Sequence, residues 1–134
     1  MKITLCSSAM FFEKLYKIKE ELEKIGHVVF LPSMVNYHNL KETSLAKIQN
    51  ELIKDHFMKI NNSDALYVAN FEKKGIKGYI GGNVFLEMGK AFDKGIPIFL
   101  LNKIPNISYR EEIIAMQPII IGEKLKLLIK KKEI

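Results

Sequence analysis

The chain has 134 residues, of which 48% are hydrophobic and 27% charged, a composition typical of one globular domain. Its net charge of +6 would suit a nucleic-acid partner, but Arg110 is its only arginine and many lysines alternate with glutamates, so we favour a general lysine bias. Cys6 is the only cysteine, which excludes an intrachain disulfide, and no apolar run reaches the roughly 20 residues of a membrane span, so we expect a cytoplasmic protein with no membrane partner.

Strands and helices are predicted to alternate along the chain. In the first half we predict, in chain order, a strand at 2–6, a helix capped by Ser8 that ends at Ile25, a strand at 27–31, a long loop through about 42, and a helix capped by Thr43 or Ser44. In the second half we predict a strand at 64–69, a glycine-rich loop at 70–82, a helix from Asn83 or Val84 to near Gly95, a strand at 97–101, a short helix at 109–116, a strand at 118–121 and a basic terminal helix. This alternation predicts a single α/β domain over residues 1–134, with three layers and a five-stranded, mostly parallel sheet.

The loops that follow the strands are the predicted location of a ligand site. In open parallel sheets, ligands bind beyond the carboxyl ends of the strands, near the point where the strand order reverses. Three segments should meet there, namely residues 6–10, the loop after Leu31, and residues 70–83.

Glu87 is the first candidate for chemistry. It is predicted in the opening turn of a helix that follows residues 81–83, where the helix dipole stabilises a carboxylate by roughly 0.3–1 kcal/mol. An ionised carboxylate is the form that attacks a sugar carbon. A surface glutamate that merely favours the helix is the alternative, but the apolar neighbours Phe85, Leu86 and Met88 indicate that this carboxylate is packed.

Asp64 is the second candidate, and it opens the strand predicted at 64–69. Aspartate also turns or caps a chain well, as it would after Asn62-Ser63. The start of a strand lies at the opposite edge of a parallel sheet from the predicted pocket. From the pattern alone we therefore interpret Asp64 as a structural residue.

Four glycines precede the helix that carries Glu87, namely Gly75, Gly78, Gly81 and Gly82. Backbone amides beside such glycines can converge on a phosphate group. Neither a P-loop nor a dinucleotide-binding fingerprint is present, and a flexible loop is the alternative interpretation.

The remaining residues with reactive side chains give no further site. Cys6 ends a buried strand and is interpreted as a core residue. His27, His38 and His56 have no metal-ligand spacing among themselves or with Cys6, so we expect neither a metal ion nor a cofactor.

Several segments in this order resemble the nucleoside 2-deoxyribosyltransferase superfamily, which includes the nucleoside 5′-monophosphate N-glycosidases. They are the first strand leading into Cys6-Ser-Ser-Ala-Met10, the strand opened by Asp64, the helix segment Glu87-Met-Gly-Lys-Ala91, and Lys94-Gly-Ile-Pro97. The resemblance covers about residues 2–101. It implies a flavodoxin-like (Rossmann-like) sheet and a homodimer.

The resemblance also implies roles for particular residues. Glu87 would attack the anomeric carbon of a ribosyl or deoxyribosyl group and form a covalent glycosyl-enzyme, which water or a second base would resolve. Asp64 would lie near the base and the catalytic groups, in conflict with the edge position inferred above. Contacts with the nucleoside or nucleotide substrate would come from Ser7, Ser8, Met10, Tyr79, Gly81, Gly82 and Asn83.

Position 81 departs from the family pattern. Transferases carry an aspartate six residues before the glutamate, where it holds the sugar's 5′-hydroxyl, and the monophosphate glycosidases tend to carry a serine; here the residue is Gly81. Glycine amides would donate to a phosphate that a carboxylate would repel, which favours a nucleotide substrate. The alternatives are a non-enzymatic nucleotide-binding domain on the same fold and, third, a nucleic-acid-binding protein that uses the lysine-rich run at 124–132.

Overall fold

The structure is a computed structural model and describes residues 1–33 and 42–124. Its strands are β1 (Lys2–Cys6), β2 (Val28–Phe30), β3 (Ala65–Val68), β4 (Ile98–Leu100) and β5 (Ile119–Ile120). Its helices are α1 (Phe12–Lys24), α2 (Glu42–Asn61), α3 (Gly82–Asp93) and α4 (Arg110–Ala115), with a 3₁₀ turn at Ala9–Phe11 before α1. The loop predicted at 34–41 and the predicted terminal helix after 124 lie outside the described residues. Among the described helices, none has both the length and the apolar character that a membrane crossing requires.

The five strands form one sheet in the order β2-β1-β3-β4-β5, and every neighbouring pair is parallel. This confirms the predicted α/β fold, and the strand order is the flavodoxin-like one. Cys6 lies opposite Val68, so that β1 and β3 end at the same edge. From β1 the chain adds β2 on one side of the sheet, and it then adds β3, β4 and β5 in turn on the other side. The strand order therefore reverses between β1 and β3.

Two apolar cores lie on the two faces of the sheet, which gives the predicted three layers. One face packs β1 and β3 residues such as Leu5 and Tyr67 against Leu15 and Leu22 of α1. The other packs the alternate residues of the same strands against α2, α3 and α4, among them Cys6, Leu66, Ile60, Met88 and Ile113. All four residues of β3 are buried, as the continuous apolar run predicted for a central strand.

Two helix starts differ from the predictions. Ser8 does not cap α1, because the 3₁₀ turn lies between them and the Ser8 side chain makes no capping hydrogen bond. Its hydroxyl oxygen instead accepts a hydrogen bond from Lys73 Nζ at 2.6 Å. Helix α2 begins at Glu42, so the predicted caps Thr43 and Ser44 lie inside the helix.

The side chain of Asn70 joins the loop after β3 to the loop after β4. Asn70 is 1% exposed, and its Nδ2 lies 3.1 to 3.3 Å from the carbonyl oxygens of Gly78, Asn102 and Lys103. Its Oδ1 accepts a hydrogen bond from the Asn102 amide at 2.8 Å, and Asn102 Nδ2 donates to the Asn70 carbonyl at 3.0 Å. The loop that leads to α3 is therefore fixed at its base.

Gly78 is required where this loop meets Lys103. Its φ is +71°, and a Cβ at this position would lie 2.2 Å from the Lys103 carbonyl oxygen. Gly75 has a similar φ of +73°, but nothing lies within 4 Å of the place of its Cβ. The two glycines therefore form a matched pair: an alanine would have a similar left-handed φ at both positions, but only at position 78 would its methyl group contact the backbone of another loop.

We expect Gly78→Ala to destabilise the fold more than Gly75→Ala. The control should lose about 1–2 kcal/mol of unfolding free energy, the cost of a left-handed non-glycine residue. Gly78→Ala should lose about 1–3 kcal/mol beyond that, because the backbone must move away from the new methyl group. Urea denaturation of both variants measures the difference, and equal losses would contradict the close packing against Lys103.

Candidate active site

A cavity of about 340 Å³ lies in the crevice beyond β1 and β3, a volume within the range of small-molecule sites. The segment after β1, the segment after β2, the α2 helix and the start of α3 all contribute to its wall. Below it, Ser7 Oγ donates a hydrogen bond to the Ala69 carbonyl at 2.8 Å and holds the ends of the two strands together. The crevice is where the strand pattern predicted a ligand site.

Seven of the nine predicted site residues line this cavity, namely Ser7, Ser8, Tyr79, Gly81, Gly82, Asn83 and Glu87. The Tyr79 ring fills the space that a side chain at position 81 would take, since a Cβ on Gly81 would lie 3.3 Å from the ring. The absence of a side chain at position 81 thus makes room for a tyrosine in the wall.

Met10 and Asp64 are placed elsewhere. Met10 lies in the 3₁₀ turn with 66% of its surface exposed and is outside the cavity wall. Asp64 lies at the amino end of β3, where its Oδ2 accepts a hydrogen bond from the Lys2 amide at 2.8 Å. The resemblance implied a place for Asp64 near the catalytic groups, whereas in the structure Asp64 joins the starts of β1 and β3 at the edge opposite the cavity. Its catalytic role stays a prediction.

Glu87 is buried, with 6% of its surface exposed. It is the sixth residue of α3 and so lies in the second turn, one turn later than the sequence predicts, because α3 already begins at Gly82. The effect of the helix dipole falls off within the first turn. The carboxylate is held mainly by a side chain, because its Oε1 lies 2.9 Å from Nδ1 of His56.

The partners of His56 define its tautomer. Its Nε2 lies 3.1 Å from the Ser33 backbone nitrogen, which can only donate, so Nε2 must be the acceptor. The ring proton is then on Nδ1 and is donated to Glu87. His56 is therefore neutral, and it holds the Glu87 carboxylate by a directed hydrogen bond.

A cluster of side chains on α2 holds Ser33 in turn. Ser33 Oγ donates to Asp55 Oδ2 at 2.7 Å and accepts from Lys59 Nζ at 3.0 Å. Lys59 Nζ also donates to the Leu31 carbonyl and forms an ion pair with Asp55, both at 2.9 Å. The hydrogen bond from Ser33, followed by that from Lys59, lowers the pKa of Asp55.

His56 is the residue that the sequence prediction missed. It is 31 positions from Glu87, and no local motif joins the two. The one available signal was periodicity, since Leu52, His56 and Ile60 recur at four-residue spacing on the core-facing side of α2. A polar residue on that apolar stripe indicates a buried hydrogen-bond partner. Metal-ligand spacing among the histidines does not reveal such a partner. Where the structure describes side chains, it has no group of three or more that could hold a metal ion.

Cys6 is buried as predicted, and it also contacts Glu87. Burial raises the pKa of the Cys6 thiol well above its usual value, and the negative charge of Glu87 and the hydrogen bond to it raise this pKa further. The thiol therefore stays protonated at neutral pH and acts as a second donor to the carboxylate.

Several solved structures share this fold, among them the following three. A 2-deoxyribosyltransferase from the psychrotolerant bacterium Bacillus psychrosaccharolyticus is 19% identical with a TM-score of 0.57, over 89% of this chain and 97% of that chain. A conserved protein from Enterococcus faecalis V583 is 15% identical with a TM-score of 0.60, over 100% and 99% of the two chains. A CMP N-glycosidase from Clostridium botulinum is 17% identical with a TM-score of 0.56, over 96% and 98%.

At these identities the three structures establish the fold alone. They agree with the flavodoxin-like sheet that the resemblance implied, over nearly the whole of each chain. No family model matches the sequence, and the search of curated proteins also finds no match.

We expect His56 to be neutral and protonated on Nδ1 at pH 7, because its Nε2 accepts the Ser33 amide. Long-range ¹⁵N–¹H spectra of the histidine-labelled protein measure this directly. A His56→Gln variant identifies the relevant signals by their loss. An imidazolium, or a ring protonated on Nε2 alone, would contradict the arrangement.

We expect Cys6 to resist iodoacetamide in the folded protein at pH 8 and to react fully in urea. Its folded pKa is raised, so the thiol stabilises the fold below its unfolded pKa of about 8.5, and this stabilisation is lost as the pH rises above that value. The unfolding free energy of a Cys6→Ala variant should therefore fall less steeply above that pH than that of the parent. If the unfolding free energies of the variant and the parent fell equally steeply with pH, the Cys6 thiol would have the same pKa in the folded and unfolded states.

Proposed function

We propose that this protein cleaves or exchanges the N-glycosidic bond of a nucleoside or of its 5′-monophosphate, with Glu87 as the nucleophile. The observation that carries the proposal is the buried Glu87 carboxylate, oriented by neutral His56 within a cavity of substrate size. Two of the neighbours with the same fold, a 2-deoxyribosyltransferase and a CMP N-glycosidase, support it.

The proposed reaction has two displacements at the anomeric carbon. A Glu87 oxygen attacks C1′ and forms an ester bond, while the C1′–N bond breaks and its electron pair leaves with the base, which takes up a proton from solvent. Water or a second base then attacks C1′ from the opposite face and gives up a proton to solvent. The bond between C1′ and the Glu87 oxygen breaks, its electrons return to Glu87, and the configuration at C1′ is retained.

His56 acts as a positioning residue in this scheme. Its Nε2 is occupied by the Ser33 amide, so the ring has no free atom with which to accept a proton. Its Nδ1–H orients the Glu87 carboxylate for the attack. A packed donor of this kind costs no reorganisation during the reaction.

A non-enzymatic nucleotide-binding domain is the second candidate, favoured by the glycine at position 81 in place of a hydroxyl-holding side chain. The Tyr79 ring occupies that space and places a hydroxyl in the cavity wall, 3.7 Å from the position of a Gly81 Cβ. Tyr79 could therefore take the polar role of the missing side chain, which favours the enzyme over the binding domain.

We expect Glu87→Gln to abolish base release. The amide has the shape of the carboxylate and can still accept from His56, but it is no nucleophile, so kcat should fall by about 10³-fold or more. Chromatography of free base from a panel of nucleosides and monophosphates, with and without a second base, measures this. Activity within tenfold of the parent would overturn the role of Glu87.

Asp64→Asn is the matched control for that experiment. Asparagine keeps an oxygen for the Lys2 amide, and position 64 lies at the edge of the sheet opposite the cavity. We expect this variant to retain full activity. A loss comparable with that of Glu87→Gln would restore the catalytic role that the resemblance implied for Asp64.

The homodimer and the cytoplasmic location remain predictions. Helix α3 exposes two large apolar side chains, Leu86 at 49% and Phe92 at 54%. These are compatible with a partner, and sedimentation velocity would establish the oligomeric state.

A further inference from the structure

Lys73 is a charged residue in the cavity wall that the proposed reaction does not use. Its Nζ donates to Ser8 Oγ at 2.6 Å and lies 5.6 Å from the centre of the Tyr79 ring. Its backbone is fixed, because the amide and carbonyl of Lys73 both pair with Ile76, at 3.2 and 2.9 Å. The ammonium group is therefore held at the cavity by a short, closed turn.

The charge of Lys73 has no partner of opposite sign in the part of the chain that the structure describes. No described carboxylate lies within 4 Å of its Nζ. Glu87 is the one acidic residue among those that line the cavity, and its Oε1 is engaged by His56. The cavity thus contains one oriented carboxylate and one uncompensated ammonium group.

We propose that Lys73, together with the Ser8 hydroxyl, binds the 5′-phosphate of the substrate, so that the protein selects nucleoside monophosphates over neutral nucleosides. This rests on the proposed function and specifies its substrate class. A neutral nucleoside would displace water from the ammonium group and leave it unpaired, which is unfavourable in a partly buried site. A phosphate would pair with that ammonium, which would offset the repulsion between the phosphate and Glu87.

The test compares each nucleoside with its own 5′-monophosphate in the parent protein and in two lysine variants. Lys73→Met removes the ammonium group but keeps a long side chain. Lys77→Met is the matched control, since Lys77 is exposed in the same loop and is not part of the cavity wall.

We expect the parent to prefer monophosphates by about 100-fold or more in kcat/KM, and Lys73→Met to lose about tenfold or more on monophosphates, mainly through KM. The same variant should change nucleoside cleavage by less than about threefold, and Lys77→Met should match the parent on both. Equal cleavage of nucleosides and monophosphates by the parent would overturn the inference. An equal loss on both substrates in Lys73→Met would do the same.

Absence of base release from every substrate would overturn the proposed function. In that case, calorimetric titration with CMP and with cytidine tests whether Lys73 binds the phosphate. Tighter binding of CMP that weakens about tenfold in Lys73→Met, and not in Lys77→Met, would support the phosphate site. Equal affinity for CMP and cytidine would overturn it.

Discussion

The reversal of strand order between β1 and β3 is the constraint on which the site depends. Both strands end at the same edge, and the loops that leave them diverge toward α1 and α3, so a crevice remains between them. The hydrogen bond from Ser7 to the Ala69 carbonyl holds the strand ends together beneath the crevice. Because α2 packs against α3 on the same face of the sheet, His56 and Glu87 meet at this crevice on two rigid helices.

Burial of the Glu87 carboxylate is the second constraint, since an ionised group in a packed interior is unfavourable unless donors surround it. The Ser33 amide donates to Nε2 of His56, whose Nδ1–H donates to Glu87. Each donor in this series of two hydrogen bonds has one acceptor, so the direction of both bonds is unambiguous. Asp55 and Lys59 fix the outer end of the series at Ser33. The orientation of the Glu87 carboxylate therefore depends on a side chain of α2.

The fold was readable from the sequence because each strand is a short apolar run between turn residues, and the continuous run of β3 identifies the buried centre of the sheet. The burial of Glu87 was also readable, from its apolar neighbours. His56 was not, because its contact with Glu87 joins helices that are distant in sequence. The pattern placed Asp64 at the correct edge, whereas the resemblance placed it near the catalytic groups. The exposure of Met10 was not readable, because the 3₁₀ turn that directs its side chain to solvent has no clear sequence signal.

The neutral state of His56 leaves two charged groups in the cavity wall, the Glu87 carboxylate and the Lys73 ammonium group. Were the imidazole charged, a second positive group would lie beside Glu87, and a phosphate could bind there as well as beside Lys73. A nucleoside monophosphate entering this field would turn its phosphate away from Glu87 and toward Lys73. Positive charge develops at C1′ as the base departs, and a neighbouring Glu87 carboxylate would stabilise that charge.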